Sequence, residues 1–267
     1  MQRLTRYELI GSVEMAAVAE VAYLDRDGQP RVRTVTPLLL GEDLAFTLTY
    51  ADSPGACEIG RSPRVSMIFS DSRLAYVGWN PLAVAATVEV TSDPEGELFH
   101  EKLLDQELRK FPPSRLLIDS PLLRREHWWY MPRWIFRLKE IGDPKPLIRR
   151  TAGDQGVLVW RTGGNLVADT VRVDDWDADV IAVSSLIGRS LHIPDGTPGA
   201  LFYHDFSIPD MDQRTEFLAT GSLRDGRFSV TSRTGSRVLG RRPGLFARLW
   251  ALRTLKKRCQ AGIEGYA

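Results

Sequence analysis

The sequence has few cysteines, no long apolar run and almost no net charge. Its two cysteines, Cys57 and Cys259, are too few for a disulfide framework and lack His or Cys neighbours at zinc-ligand spacing. We therefore expect a reducing, cytoplasmic setting. No apolar run approaches the roughly 20 residues of a membrane-spanning helix. The charged N-terminal segment MQRLTRYELIGSVE is also not typical of a secretory signal.

Charge is balanced over the whole chain but not at its C-terminal end. Thirty-five Lys and Arg face 34 Asp and Glu, so net charge gives no reason to expect nucleic-acid binding. From Ser236 onward, however, eight basic residues are opposed only by Glu264. The segment after Pro243 predicts a helix with an apolar stripe of Leu245, Phe246, Leu249, Leu252 and Leu255. Such a helix lies on an anionic membrane, contacts nucleic acid, or covers a barrel; we favour the cover, and expect no membrane or nucleic-acid partner.

Several catalytic signatures are missing from the sequence. It contains no G-x-S-x-G, no phosphate-binding P-loop and no G-x-G-x-x-G. Its four histidines do not stand at metal-ligand spacing, so we expect no metal site. The 43% content of hydrophobic residues excludes disorder as the main state.

Alternating apolar residues and glycine turns predict a mainly β fold. Asp27-Gly28 is a hairpin signal, because glycine adopts the positive φ that a tight turn needs. Ser53-Pro54 combines a helix-capping residue with proline at the first helical position. The predicted strands of the first half are 19–24, 30–40, 44–49, 63–69, 73–79, 83–90 and the aromatic-rich 127–138. Gly142 to Pro146 is predicted to be a linker.

The second half repeats the order of the first. Strands around the Gly163-Gly164 turn parallel those around Gly28, and later strands follow in the same sequence. We predict an internal duplication, with a split-barrel domain at 1–145 and a second, degenerate split-barrel-like domain at 146–267 that carries the C-terminal basic helix. The fold class is a β-barrel with peripheral helices. The alternative is that two unrelated β-rich stretches share alternation and glycine turns.

An ordered set of motifs in the first half resembles one known family. The segment VAYLDRDGQPRVRTVTPLLLGEDLAFTLTYADSPGACEIGRSPRVSMIFSD contains a D-x-D-G-x-P turn, a V-R-x-V strand, an F-T-x-T strand and a Ser-led short helix. The later VEVTSDPEGELFHEKL and WWYMPRWIFRL fit a further strand, a helix and a closing strand. Together these segments are similar to the pyridoxamine 5'-phosphate oxidase-like family of FMN-binding split β-barrels. The resemblance covers the first half well and the second half as a degenerate copy.

The resemblance implies a flavin site on two strands and one helix. The residues that it assigns to cofactor binding are Arg33, Thr34, Val35, Thr47, Thr49 and Ser53, with Arg61 and Arg64 as further phosphate candidates. The residues themselves are compatible with this, since an Arg pairs with phosphate and a helix start offers free N–H groups. Without the resemblance, Arg33 reads as a solvated residue and the threonines as ordinary strand formers.

Gly55 departs from the family pattern. Many members have Lys two residues after the Ser, where it helps to hold phosphate, and this chain has Gly55 there. Loss of that cation weakens phosphate binding by about 1–3 kcal/mol if the contact is charge-assisted. Either another Arg takes its place, the cofactor differs, or the site is vestigial.

These observations leave more than one function open. The resemblance favours an FMN-dependent oxidoreductase that transfers hydride to or from a small molecule, although the residues do not establish that the protein is an enzyme. The alternatives are a deazaflavin-dependent reductase, or a non-catalytic or haem-handling protein on the same scaffold, for which His127 and His204 are candidates. Family barrels pair as dimers, so we expect a homodimer or an intrachain pseudo-dimer.

Overall fold

The computed structural model describes residues 6–71 and 79–265, and antiparallel strands dominate both halves of this part of the chain. The mainly β class is confirmed, with helices at the periphery. The predicted strand 73–79 falls almost entirely outside the described residues. The strands of the first sheet are β1 Ala19–Leu24, β2 Pro30–Val35, β3 Leu38–Leu40, β4 Asp43–Thr49, β5 Val65–Phe69, β6 Leu82–Asp93, β7 Arg133–Lys139 and β8 Lys145–Pro146.

The first sheet curls around an apolar core. Its strand order is β2-β1-β5-β6-β7-β4-β3, and β8 pairs with β6. Gly28 has φ +74° in the hairpin that joins β1 to β2, as the Asp-Gly signal predicts. Near the two ends of the order, β2 and β4 approach each other, so the sheet almost closes. Phe46 and Phe136 stack at 4.6 Å inside it.

The second sheet is a closed barrel. Its strands are β9 Gln155–Thr162, β10 Asn165–Val173, β11 Val180–Ser185, β12 Thr197–Phe206, β13 Arg214–Arg224 and β14 Arg227–Gly235. They close in the order β10-β11-β14-β13-β12-β9. Trp176 makes edge-to-face contacts with Tyr203 and Phe217 in the interior. The barrel is therefore filled by side chains.

Helices cover the first sheet. They are α1 Arg6–Met15, α2 Ser53–Arg61, α3 Leu104–Lys110, α4 Pro112–Ile118, α5 Pro121–Glu126 and α6 Leu245–Glu264. A 3₁₀ turn, Tyr50–Asp52, leads directly into α2, and a π-helical turn, Phe99–Leu103, leads into α3. The C-terminal helix predicted after Pro243 is present as α6, which packs on the Tyr50–Asp52 turn.

Two local predictions are wrong. The aromatic run at Trp128–Tyr130 is a 3₁₀ turn, and the strand begins at Arg133. Tyr130 is buried beside the α3–α4 core, so the turn places an aromatic cover there instead of extending the sheet. Lys145–Pro146, expected in a linker, forms β8 on the edge of the sheet, where a proline is tolerated.

The two sheets pack face to face, with β2, β5 and β6 closest to the second barrel, and β1 is buried along its whole length. Ala22 and Leu24 share one apolar cluster with Val157 and Val159 of the second barrel. A strand that is covered on both faces reads as a continuous apolar run, and AEVAYL fits this pattern apart from Glu20.

Glu20 is part of a buried polar cluster between the sheets. His204 Nε2 on β12 lies 2.8 Å from Glu20 Oε1, and Arg150 Nη2 lies 3.3 Å from the same oxygen. Ser70 Oγ donates to Glu20, and Arg150 Nε donates to Ser70 Oγ at 2.8 Å. Because each of these four residues is buried, the cluster joins the two halves of the chain by charge as well as by apolar contact.

Candidate functional site

A cavity of about 530 Å³ opens where the two sheets and α6 meet. Its volume lies in the range of small-molecule sites. One wall comes from β2 and β4, at the seam where the first sheet almost closes, and others come from α3, α4, the Trp128–Tyr130 turn, the start of β7, α6 and the second barrel. The residues of those other walls include Glu107, Phe111, Pro113, Leu117, Tyr130, Arg133, Phe206, Met211, Arg214, Leu255 and Arg258.

Five of the eight residues predicted for the cofactor line this one cavity. They are Arg33, Thr34 and Val35 on β2, and Thr47 and Thr49 on β4. The two strands lie far apart in the strand order but approach each other in space. The sheet therefore brings together residues that the sequence separates by more than ten positions.

Arg33 occupies the space in which a side chain at position 55 would begin. A Cβ on Gly55 would lie 2.6 Å from Arg33 Nη1 and 3.0 Å from Asp52 Oδ1. Arg33 Nη1 forms an ion pair with Asp52, and Arg33 Nε is buried without a hydrogen-bond partner among the described residues. The guanidinium thus stands in the place that the family resemblance gives to a lysine side chain.

Ser53 is placed close to the cavity but does not line it. Its Oγ donates to the Tyr50 carbonyl at 2.9 Å and accepts from Trp134 Nε1 at 3.1 Å. Its backbone N–H also donates to Tyr50, because the 3₁₀ turn runs into α2 without a break. Gly262 of α6 lies against the same carbonyl, which a Cβ at position 262 would approach to 2.0 Å. The helix start is therefore covered by α6.

The two further phosphate candidates are not brought to the cavity. Arg61 lies in the last turn of α2 and lines a separate cavity of about 600 Å³ with Cys57 and Arg161. Arg64 Nη2 lies 3.9 Å from Glu140 Oε2, in an exposed pair. Arg61 lies at the end of α2 and Arg64 lies just after it. Both are therefore a helix length away from the first turn of α2, where Arg33 lies.

Arg133 is a cavity residue that the sequence patterns did not single out. It is 1% exposed, and its guanidinium lies over the rings of Phe99 and Tyr130 at 4.2 and 4.3 Å. Nη1 donates to the carbonyls of Tyr130 and Pro132, while Nη2 has no hydrogen-bond partner in the described part of the chain. A buried cation with an unused donor is suited to a bound anion. Its signal in the sequence is an arginine inside the aromatic run WWYMPRW.

Glu107 adds a buried acid beside this arginine. Ser114 Oγ donates to Glu107 Oε1 at 2.9 Å and lies 3.2 Å from the Tyr130 hydroxyl. Burial raises the pKa of Glu107, against the lowering effect of the Arg133 charge and the Ser114 hydrogen bond. Burial likewise raises the pKa of Tyr130. This part of the wall can therefore hold protons on oxygen atoms more readily than exposed side chains would.

Positive charge predominates in the cavity wall. Four arginines line it, namely Arg33, Arg133, Arg214 and Arg258, against the two acids Asp52 and Glu107. Arg258 Nη2 donates to the Ala51 carbonyl at 2.8 Å, which ties α6 to the turn before α2. Arg214 and Arg258 come from the second half of the chain, and sequence spacing alone gave no signal for them. The cavity is therefore suited to an anionic ligand.

The two histidines considered for haem lie in structural positions. His127 Nδ1 is 3.1 Å from the carbonyl oxygens of both Leu117 and Leu123, and His204 belongs to the buried cluster with Glu20. Neither lines the cavity. Within residues 6–71 and 79–265, no group of three or more His, Cys, Asp or Glu is placed to hold a metal ion. Over the same residues, no helix has the length and apolar content needed to cross a membrane.

Comparisons with known proteins find solved structures but no family model and no curated protein. The matching structures are pyridoxamine 5'-phosphate oxidase-like split-barrel proteins. An F420 reductase is 23% identical over 51% of this chain and 94% of its own, with a TM-score of 0.36. HutZ, a heme storage protein from Vibrio cholerae, is 16% identical over 54% and 96%, with a TM-score of 0.35.

A third match carries the name of the family that the sequence resembles. A putative pyridoxamine 5'-phosphate oxidase from Lactobacillus delbrueckii is 16% identical over 54% of this chain and 93% of its own, with a TM-score of 0.32. Each of these three structures covers about half of this chain. Because the identities and TM-scores are low, the function of the cavity is inferred from its own residues.

Proposed function

We propose that the cavity between the two sheets binds FMN and that the protein is a flavin-dependent oxidoreductase acting on a small molecule. The observation that carries this proposal is the convergence of Arg33, Thr34, Val35, Thr47 and Thr49 on one cationic cavity of about 530 Å³. The family resemblance assigns the same five residues to flavin binding.

The residues present fit a phosphate-bearing coenzyme. Arg33 fills the cradle left by Gly55, and both Arg33 Nε and Arg133 Nη2 are buried donors without a hydrogen-bond partner among the described residues. Charge-assisted hydrogen bonds to phosphate would satisfy such donors. Arg33 and the hydroxyls of Thr47 and Thr49 on β4 would hold the coenzyme, whereas the Thr34 hydroxyl of β2 donates to Glu216. The covered start of α2 does not take part.

When bound, the flavin ring would supply hydride transfer, so no nucleophilic side chain is required. The residues of this chain would bind the coenzyme, orient it and shield it from water. Phe206, Met211 and Leu255 give the cavity an apolar side, which would shield a bound ring from water. Glu107, with its raised pKa, and Tyr130 would hold protons near a bound substrate.

Titration of the apoprotein with FMN, followed by flavin fluorescence, tests the proposal. Arg33→Ala should raise the Kd roughly ten- to a hundredfold, since it removes a charge-assisted contact. Arg64→Ala is the matched control and should leave the Kd unchanged, because Arg64 pairs with Glu140 outside the cavity. Equal affinity of the wild type and Arg33→Ala would contradict the assignment of Arg33.

A deazaflavin-dependent reductase is the second candidate. It is favoured by Gly55 and by Asp52, whose carboxylate offsets the charge of Arg33 and so weakens its hold on phosphate. The absorbance of the loaded protein separates the two, since flavin gives two visible bands and deazaflavin one at shorter wavelength. A sharp, intense haem band without uptake of either would contradict both candidates.

We also propose that the chain is an internally duplicated pseudo-dimer, divided near residue 145. The strand orders β2-β1-β5-β6-β7-β4 and β10-β9-β12-β13-β14-β11 correspond strand by strand. Residues of the second barrel line the same cavity as β2 and β4, as a partner subunit would.

Both cysteines are free, which agrees with the proposed reducing compartment.

A further inference from the structure

The first half of α6 exposes large apolar side chains. Leu245, Phe246, Leu249 and Trp250 all face solvent, with Phe246 90% and Trp250 71% exposed. Exposed single apolar residues are common, but four of them within six positions form a contiguous surface. The helix therefore covers the first sheet, as predicted from the sequence, only with its second half, where Cys259 is buried.

The solvent-facing side of α6 that carries these apolar residues becomes basic in the following turns. At 100° per residue, Arg253, Lys256 and Lys257 fall on the side of α6 that carries Phe246 and Leu249, and all three are exposed. The opposite side carries Leu255 and Cys259, which face the first sheet. We refer to Leu245, Phe246, Leu249, Trp250, Arg253, Lys256 and Lys257 as the outer face of α6.

The cations of the outer face have no acidic partner in the described part of the chain. Arg242 and Arg248 beside it are paired with Asp210 and Asp212. No carboxylate among the described residues lies within 4.0 Å of Arg253, Lys256 or Lys257, and Glu264 is the one acid after Ser236. The outer face therefore combines unneutralised positive charge with exposed aromatic and aliphatic surface.

We propose that the outer face of α6 binds the surface of an anionic lipid bilayer. Exposed apolar side chains enter the boundary of headgroups and acyl chains, and Lys and Arg attract anionic headgroups. On α6 the apolar side chains and the cations follow one another along the same face, so the first half would enter this boundary while the basic turns contact the headgroups. Trp250 is suited to this depth, since its ring is amphipathic. The helix lies on the membrane without spanning it.

Two other occupants fit the outer face less well. A second copy packed antiparallel would cover the cations of one helix with the apolar side chains of the other, and a parallel copy would place cation against cation. Nucleic acid would use the cations but has no need of four large apolar side chains. A lipid surface uses both parts.

Co-sedimentation with vesicles tests the proposal on the full chain. Wild type should bind vesicles of phosphatidylcholine with about one-third phosphatidylglycerol, and bind pure phosphatidylcholine at least tenfold more weakly. Phe246→Ser with Trp250→Ser should reduce binding to the anionic vesicles at least tenfold. Lys256→Glu with Lys257→Glu should abolish the preference for anionic lipid. Leu122→Ser, which changes an exposed leucine of α5, should bind like wild type.

Three outcomes would overturn the proposal. The first is wild type that fails to sediment with anionic vesicles at low salt. The second is a concentration-dependent dimer in sedimentation velocity that Phe246→Ser converts to monomer, which assigns the outer face to a second copy. The third is duplex binding that depends on Lys256 and Lys257 but not on Trp250, which assigns it to nucleic acid. Because these variants leave the cavity intact, FMN affinity reports separately on the proposed function.

Discussion

At the scale of single residues, Gly55 and Arg33 show how a missing side chain is replaced from elsewhere in the chain. The family resemblance marks position 55 as a lost cation, and the structure places an arginine from β2 in the space where that side chain would begin. The replacement is incomplete, since Asp52 forms an ion pair with Arg33. A phosphate at this position would have to compete with a carboxylate.

We expect Asp52→Asn to strengthen FMN binding. Removal of the carboxylate frees the Arg33 guanidinium for the phosphate, which is worth about 1 kcal/mol at a partly exposed site. The Kd should fall roughly fivefold in a fluorescence titration. In the Arg33→Ala background the same substitution should give no such gain, and a gain there of equal size would show that Asp52 does not act through Arg33.

At the scale of elements, the contact between α6 and α2 decides which residues reach the cavity. The sequence predicts that α6 covers a barrel, and the family resemblance assigns Ser53 to the cofactor. The two predictions conflict because α6 lies over the start of α2, where Ser53 is. Gly262 allows the helix to rest on the Tyr50 carbonyl, and Ser53 is then used in hydrogen bonds below it. Helix periodicity indicates which face of a helix is apolar, but not which end of a distant helix it will cover.

Gly262→Ala should loosen the second half of α6. A Cβ at this position would lie 2.0 Å from a backbone oxygen, so the helix must shift, at a cost of about 1–3 kcal/mol in the free energy of unfolding. Burial raises the pKa of the Cys259 thiol and keeps it from reagents. In a Cys57→Ser background, the variant should react faster with a thiol reagent than the parent.

A matched glycine makes the result specific. Gly240 has no neighbouring atom within 4 Å of its Cβ position, so Gly240→Ala should leave both stability and thiol reactivity unchanged. Slow, unchanged reaction of Cys259 in Gly262→Ala would show that α6 does not depend on this close contact.

At the scale of the whole molecule, the Glu20 cluster between the two sheets makes the stability of the folded chain depend on pH. Burial disfavours the charged carboxylate, but the hydrogen bond and charge of His204, the charge of Arg150 and the Ser70 hydrogen bond together hold the pKa of Glu20 below its ordinary 4.5. The unfolded chain therefore takes up this proton first on acidification. The stabilisation from Glu20 is complete above pH 4.5 and is lost as pH falls through the folded-state pKa.

Urea unfolding between pH 3 and 7 measures this dependence. Wild type should lose stability below about pH 4.5, and Glu20→Gln should show a flatter profile there. At pH 7 the variant should also be about 3–5 kcal/mol less stable, since it leaves buried charge unpaired. Glu89→Gln, at an exposed pair with Arg137, should keep the wild-type profile. An equally steep profile in Glu20→Gln would place the acid sensitivity in other groups.

Alternation and turn signals predicted the sheet content and the β1–β2 hairpin, because such signals act over short distances. The five cavity residues were assigned by the family resemblance and not by these signals. The sequence did not reveal Arg133, Arg214 or Arg258, whose positions depend on contacts between segments far apart in the chain. Glu20, in the otherwise apolar β1, was equally hard to interpret, since its partners lie on β12 and in the connection after β8.

The two sheets share a strand order but not their helices, and this difference bears on the number of coenzyme sites expected per chain. Between β11 and β12, the described segment 186–196 contains no counterpart of α2, and a tight turn at Gly226 stands where α3, α4 and α5 would be inserted. A symmetric pair of identical subunits would present two equivalent sites. The proposed pseudo-dimer would instead saturate with one coenzyme equivalent per chain, and its second barrel would serve as a fixed wall for the site of the first.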